Sequence, residues 1–159
     1  MYDIEPDKLS QADKESLFME TLQGYLAKKL NLVTNLANMS AVIHVFFPDL
    51  NWVGFYLYEN KSLYLGPFQG KPACTSIQIG KGVCGTCAKT EIALLVPDTS
   101  KFPGHIVCDV ASKSELVVPI VHNSRFVGVL DLDSPELDHF QKTDLDLFTK
   151  AVNLLVDIL

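Results

Sequence analysis

Apolar positions in this chain repeat at helical spacing toward both ends and at closer, strand-like spacing between them. Leu17, Phe18, Leu22, Tyr25 and Leu26 lie on one helical stripe. Leu32, Val33, Leu36, Ala37, Ser40, Ile43, His44 and Phe47 form a second, which Pro48 ends. The period then shortens. Residues 51–58 (NWVGFYLY) and 62–68 (SLYLGPF) are aromatic and aliphatic runs around Glu59-Asn60-Lys61, the pattern of a hairpin. Thr75–Ile79 alternates like a short strand. Gly80–Thr90 reads as a glycine loop entering a short helix near Gly85, and Ala93–Val96 as a brief strand. Glu115–Val121 and Arg125–Asp133 predict a second hairpin across His122-Asn123-Ser124. A last helix opens near Thr143, which can cap it while Asp146 reciprocates; Leu145, Phe148, Val152, Leu155 and Leu159 line its apolar face. Two helices, two strands, a loop-rich middle, two strands and a helix suit an antiparallel sheet with the terminal helices on one side, an α+β class.

The bulk numbers narrow the picture. A chain of 159 residues fits one domain spanning 1–159, without repeat, low-complexity segment or linker. A fold of this size buries roughly 70% of its unfolded surface and needs no disulfide staple. With 48% apolar and 20% charged residues the composition is that of a globular protein. The net charge of −6 carries no footprint for nucleic acid or an anionic membrane. No apolar run approaches the roughly 20 residues of a membrane span. The opening MYDIEPDKLS has neither the cationic start nor the apolar core of a secretory signal. The expectation is therefore a cytoplasmic protein with resting thiols reduced, in which a disulfide would be transient and mechanistic.

Candidate chemistry centres on Cys74, Cys84, Cys87 and Cys108, all within one Gly/Pro-rich central stretch and none on a clearly periodic element. Thiols gathered on loops suit redox or covalent chemistry, which needs a reachable, activated thiolate. Cys84 follows Gly80-Lys81-Gly82-Val83; free N–H groups at a helix start, with Lys81 nearby, would favour its thiolate. The plainer reading is a tight glycine turn with Cys84 filling space beside it. Gly80-x-Gly82-x-x-Gly85 matches the dinucleotide fingerprint only weakly, for it opens no βαβ unit. Cys84-Gly85-Thr86-Cys87 matches C-x-x-C, again without the surrounding unit of a thioredoxin-like domain. A structural zinc site would have to recruit Cys74, Cys108 or His105, at spacings unlike any compact zinc module, so no metal is expected. Cys108 sits in a long polar connection expected to lie over the sheet; His105 and Lys113 would favour its ionised form and Asp109 would oppose it.

Carboxylates complete the inventory. Asp131 and Asp133, two apart on a strand, project from one face, and pairing through the short turn brings Glu115 beside them. Three acids near a thiol loop suit binding of an ammonium group, or one acid kept protonated as a proton donor. Solvated strand-end acids are the simpler explanation for any one of them. Trp52 and Tyr56, four apart, share a face as well, as a pocket wall or as core.

These blocks, taken in order, resemble a known family. Asn51–Tyr56 (NWVGFY), Leu65–Cys74 (LGPFQGKPAC), Gly80–Thr86 (GKGVCGT), Phe102–Ile106 (FPGHI), Cys108-Asp109, Ser114-Glu115 and Gly128–Ser134 (GVLDLDS) are similar to free methionine-R-sulfoxide reductases, which are single GAF domains. The resemblance runs from about residue 15 to the C-terminus. It implies an antiparallel sheet of about six strands, helices on one face and a ligand pocket on the other. It also implies reduction of the R-epimer of free methionine sulfoxide, with thioredoxin as reductant, no cofactor, and a possible homodimer through the helical face. The family's three motif cysteines fall on Cys74, Cys84 and Cys108. Cys108 would attack, as the loop cysteine commonly does, although some members are described with the middle cysteine, here Cys84, in that role; Cys84 would be the principal resolving thiol and Cys74 an alternative. Glu115, Asp131 and Asp133 correspond to its pocket carboxylates and Trp52 to its aromatic wall. Cys87 stands where the family has a small residue such as alanine, and is read as an inert core thiol. The alternatives are a non-catalytic GAF sensor, which is normally joined to an output domain this chain has no room for, and a zinc or redox-switch protein.

Overall fold

Side-chain caps start the first two helices. Ser10 Oγ accepts the Asp13 N–H (3.2 Å) to open α1, Gln11–Tyr25, and Asn31 Oδ1 accepts the Thr34 N–H (2.8 Å) to open α2, Leu32–Phe46. Both are seen in a computed structural model that describes residues 6–104 and 109–159, the Asp7 side chain aside. Strands β1, Trp52–Glu59, and β2, Ser62–Gly70, follow. Asn60 (φ 49°) and Lys61 (φ 64°) form their turn, a left-handed pair whose twist matches the strands it joins. After β3, Ser76–Gln78, come α3, Gly82–Thr90, and β4, Leu94–Val96. β5, Ser114–His122, and β6, Arg125–Ser134, meet at a second left-handed pair, Asn123 and Ser124, and α4, Lys142–Val156, closes the chain.

Two boundaries differ from the sequence reading. Helix α3 begins at Gly82, so Cys84 and Cys87 lie within a helix and not on a loop. Helix α4 starts with Gln141 as its cap: Asp144 accepts the Gln141 N–H (2.7 Å), while Asp146, expected as the capping partner of Thr143, pairs with Lys142 (3.0 Å). The first acid in reach takes the orphan N–H, which moves the start two residues upstream.

The six strands form one antiparallel sheet in the order β3-β2-β1-β6-β5-β4. Alternation along the strands divides its faces. Val53, Phe55, Leu116, Val118, Leu130 and Leu132 point to one side and are buried against α1, α2 and α4, where Phe18, Phe46, Phe47 and Phe148 pack ring to ring at 5.1–6.0 Å. Trp52, Tyr56, Val117 and Val129 point to the other and meet Val83 and Cys87 of α3. The expected arrangement, helices on one face and the candidate pocket on the opposite one, is what the sheet builds. Gly85 lets α3 approach: a Cβ there would fall well inside 3.0 Å of the Gln78 carbonyl oxygen. This glycine serves the close approach of α3 to the end of β3.

Candidate functional site

Strand register assembles the acids. Glu115 pairs directly with Asp133, Val117 with Asp131, and Asp133 also with Trp52 of β1. Direct partners share a face, so Trp52, Glu115, Asp131 and Asp133 converge on the sheet surface beneath α3. Glu115 and Asp131 are each only 6% exposed. The first turn of α3 places Cys84 over them, its Sγ 3.7 Å from Glu115 Oε1. Cys84, Glu115 and Asp131 each bring an atom to within 4.8 Å of the other two. A cavity of about 30 Å³ lies between these groups and Lys81, Asp109 and Asp133. A second hollow of about 20 Å³ is walled by Trp52, Tyr56, Pro72 and Ala73 and shares the floor of Asp131 and Asp133.

The aromatic wall is fixed by its own contacts. Trp52 stacks on Tyr56 (5.9 Å) and Phe68 (5.4 Å), and its Nε1–H donates to the Lys71 carbonyl (3.1 Å). The Tyr56 hydroxyl donates to the Cys74 carbonyl (3.0 Å). The wall thus holds the segment carrying Cys74, which is itself disulfide-bonded, whereas Cys84 and Cys87 are free thiols. Cys108 and His105 lie outside the described residues.

A GAF domain model matches residues 10–157. The chain is 43% identical to the free methionine-R-sulfoxide reductase of Saccharomyces cerevisiae, covering 92% of this chain and 87% of that one. The chain belongs to the free methionine-R-sulfoxide reductase family of GAF domains. Among solved structures, fRMsr of Staphylococcus aureus in its reduced form is 41% identical with a TM-score of 0.88, over 91% of this chain and 94% of that one. The free methionine-R-sulfoxide reductase of Neisseria meningitidis in complex with its substrate is 39% identical with a TM-score of 0.86, over 94% and 92%.

The electrostatics of this GAF pocket oppose charge. Burial, then the neighbouring Asp131, pushes Glu115 and Asp133 well above the usual carboxylate range. Burial raises Asp131 to about 6, against the opposing effect of hydrogen bonds from Cys84 and Glu115. Three carboxyls this close cannot all ionise without water, so the cluster retains protons near neutral pH. The same environment acts on sulfur. Burial first, then Asp131 and Glu115, drives the Cys84 thiol well above its ordinary range. This corrects the expectation of a thiolate: the helix start and Lys81 are outweighed, and Lys81 makes no ion pair among the described residues. Burial pushes Cys87 up to about 12, and its Sγ faces the Val117 carbonyl (3.9 Å). It is a buried core thiol set against β5 and is not one of the three residues whose sulfur and oxygen atoms cluster around Cys84.

Sequence reasoning missed a polar clasp beside the cavity. Asn51 Nδ2 donates to Ser112 Oγ (3.0 Å) and to Asp109 Oδ2 (3.4 Å), Lys71 Nζ lies 3.6 Å from the same oxygen, and the Ala111 N–H donates to Asp109 Oδ1 (3.0 Å). The Ala111 N–H, then Lys71, holds Asp109 below the usual carboxylate range. Asp109 therefore stays ionised and ties the connection after residue 108 to the sheet. Its side-chain partner Asn51 stands 58 residues away in the chain, beyond any local pattern.

Proposed function

We propose that this protein reduces the R-epimer of free methionine S-oxide to methionine, using cysteine as the reductant of the sulfoxide and thioredoxin to restore the cysteine. The observation that carries the reading is the buried, proton-retaining trio Glu115, Asp131 and Asp133 beneath an aromatic wall, in a chain of this family. Sulfoxide reduction requires a proton for the departing oxygen, and a carboxyl kept neutral by burial supplies it. An ionised member of the trio matches the ammonium of a free amino acid. In the proposed cycle the Cys108 thiolate attacks the sulfoxide sulfur. The oxygen takes a proton and ends on Cys108 as a sulfenic acid, and methionine leaves. A second thiol then condenses with the sulfenic acid, forming a disulfide and releasing water. A reduced dithiol of the thioredoxin class returns the enzyme by exchange.

Two observations bear on the resolving thiol. Cys74 is oxidised, and Cys84 is a buried thiol whose ionisation the acids oppose. Both favour Cys74 as the principal resolver, with Cys84 on the pocket floor. The hollows, about 30 and 20 Å³, have room for a water or an ion but not an amino acid. We read this state as the oxidised one left after turnover, which widens when the disulfide opens. The same proposal places the activity in the reducing cytoplasm. It also includes dimerisation through the helical layer, which sedimentation checks. No helix among the described residues is long and apolar enough to cross a membrane.

The deciding experiment offers the protein both epimers of methionine S-oxide with a thioredoxin system and follows each by chromatography. Loss of the R-epimer alone is expected. Survival of both epimers overturns the reading, and binding without turnover points to a sensor.

A further inference from the structure

We propose that Cys84, Glu115 and Asp131 form a binding site for a divalent zinc-class ion at the floor of the pocket. Their potential ligand atoms already lie within 4.8 Å of one another. A tetrahedral zinc with Zn–S near 2.3 Å and Zn–O near 2.1 Å holds sulfur and oxygen about 3.6 Å apart. The Cys84 Sγ to Glu115 Oε1 separation is 3.7 Å. The sulfur–carboxylate spacing is therefore that of a coordination sphere.

A second observation points to a cation independently of the cluster. Asp131 is 6% exposed and lines the cavity, and its Oδ1 has no hydrogen-bond partner among the described residues. A buried carboxylate oxygen without a donor is a rare arrangement that a metal ligand bond would satisfy. The cavity beside it, about 30 Å³, has room for an ion and a water molecule.

The donor set selects the metal. One thiolate with two carboxylate oxygens suits a borderline ion of low coordination number, with water in the fourth position. Calcium and magnesium prefer six or more oxygens and find only two here besides the sulfur. Binding is a proton exchange with no change of oxidation state: the Cys84 thiol and any protonated carboxyl release their protons to solvent as the ion enters. Because the carboxylates are those assigned to the substrate, bound zinc would exclude methionine S-oxide. That consequence rests on the proposed function; the metal site does not.

The test titrates zinc into the protein with its Cys74 disulfide intact and no added thiol, by calorimetry in two buffers of different ionisation enthalpy. One ion per chain with proton release is expected. Cobalt should give a sulfur-to-metal charge-transfer band in the near ultraviolet. Cys84→Ser and Cys84→Ala should both abolish the band, and Glu115→Gln or Asp131→Asn should weaken zinc binding by about 10- to 100-fold. Cys87→Ser should change neither readout. No binding below millimolar zinc overturns the site, as does a cobalt band that survives either Cys84 variant. In the turnover assay zinc should raise KM for the sulfoxide at constant kcat, with the thioredoxin system shown separately to keep its rate. Zinc bound one to one with KM unchanged would refute the shared pocket alone.

Discussion

Replacing Gly85 by alanine tests how tightly α3 is docked over the acids. The backbone at Gly85 is not left-handed, so alanine meets no conformational strain and gains about 1 kcal/mol of helix propensity. Its Cβ, however, would lie well inside 3.0 Å of the Gln78 carbonyl oxygen and 3.2 Å from the Gly80 nitrogen, both backbone atoms that cannot rotate away. The Gly80 N–H also donates to the Gly85 carbonyl (2.6 Å), so the turn and the helix are tied together. Relieving the overlap means sliding α3 outward by several tenths of an ångström, an overpacking that costs roughly 1–3 kcal/mol. Because the overlap is with backbone atoms, the cost falls at the upper end of that range, and the net expectation is a loss of about 2 kcal/mol, which lowers Tm by about 4–8 °C in a domain of this size. Cys84 rides on the same turn, so its approach to Glu115 should lengthen. Gly24→Ala is the matched control: nothing lies within 4 Å of its added Cβ on exposed α1, and a gain of about 0.5–1 kcal/mol is expected. Urea denaturation of both variants reads the difference. A Gly85→Ala protein as stable as its parent would refute the docking argument.

Other predictions follow from the pocket. Cys108→Ser should abolish turnover. Cys74→Ser should permit one reduction and then accumulate a sulfenic acid trapped by dimedone, while Cys84→Ser should retain thioredoxin-dependent turnover; the reverse pattern would restore Cys84 as the resolver. Asp131 is raised from 3.8 to about 6 on folding, so the native state holds its proton where the unfolded chain has lost it. Stability should therefore fall as pH rises from about 4 to 6, with Asp131 contributing on the order of 3 kcal/mol and the raised Glu115 and Asp133 extending the decline above that window, and Asp131→Asn should reduce the decline in urea titrations. Trp52→Phe removes the donor to the Lys71 carbonyl but keeps a ring for stacking, so KM for the sulfoxide should rise several-fold with kcat little changed. Asp109→Asn weakens the pairing with Lys71 and should increase amide exchange around Asn51 and Ser112; unchanged protection would show that the clasp is dispensable.

Local patterning determined the elements. Two helical stripes, two hairpins meeting at Asn60-Lys61 and Asn123-Ser124, and a final amphipathic helix follow from side-chain period and turn chemistry, which act over a few residues. The shared face of Asp131 and Asp133 follows from strand geometry in the same way. The motif blocks, which encode a family and not a local conformation, carried the pocket residues and the family assignment. Tertiary structure decided the rest. How closely Cys84 approaches the acids turned on Gly85 packing against the end of β3, a contact between chain segments. Whether its sulfur ionises turned on burial beside Glu115 and Asp131, because desolvation outweighs a helix start only when the site is closed to water. The clasp of Asn51, Lys71, Asp109 and Ser112 joins segments 58 and 61 residues apart, and no periodicity reaches that far. Composition and period report what each residue prefers, while protonation and partnership depend on which groups the fold leaves without water.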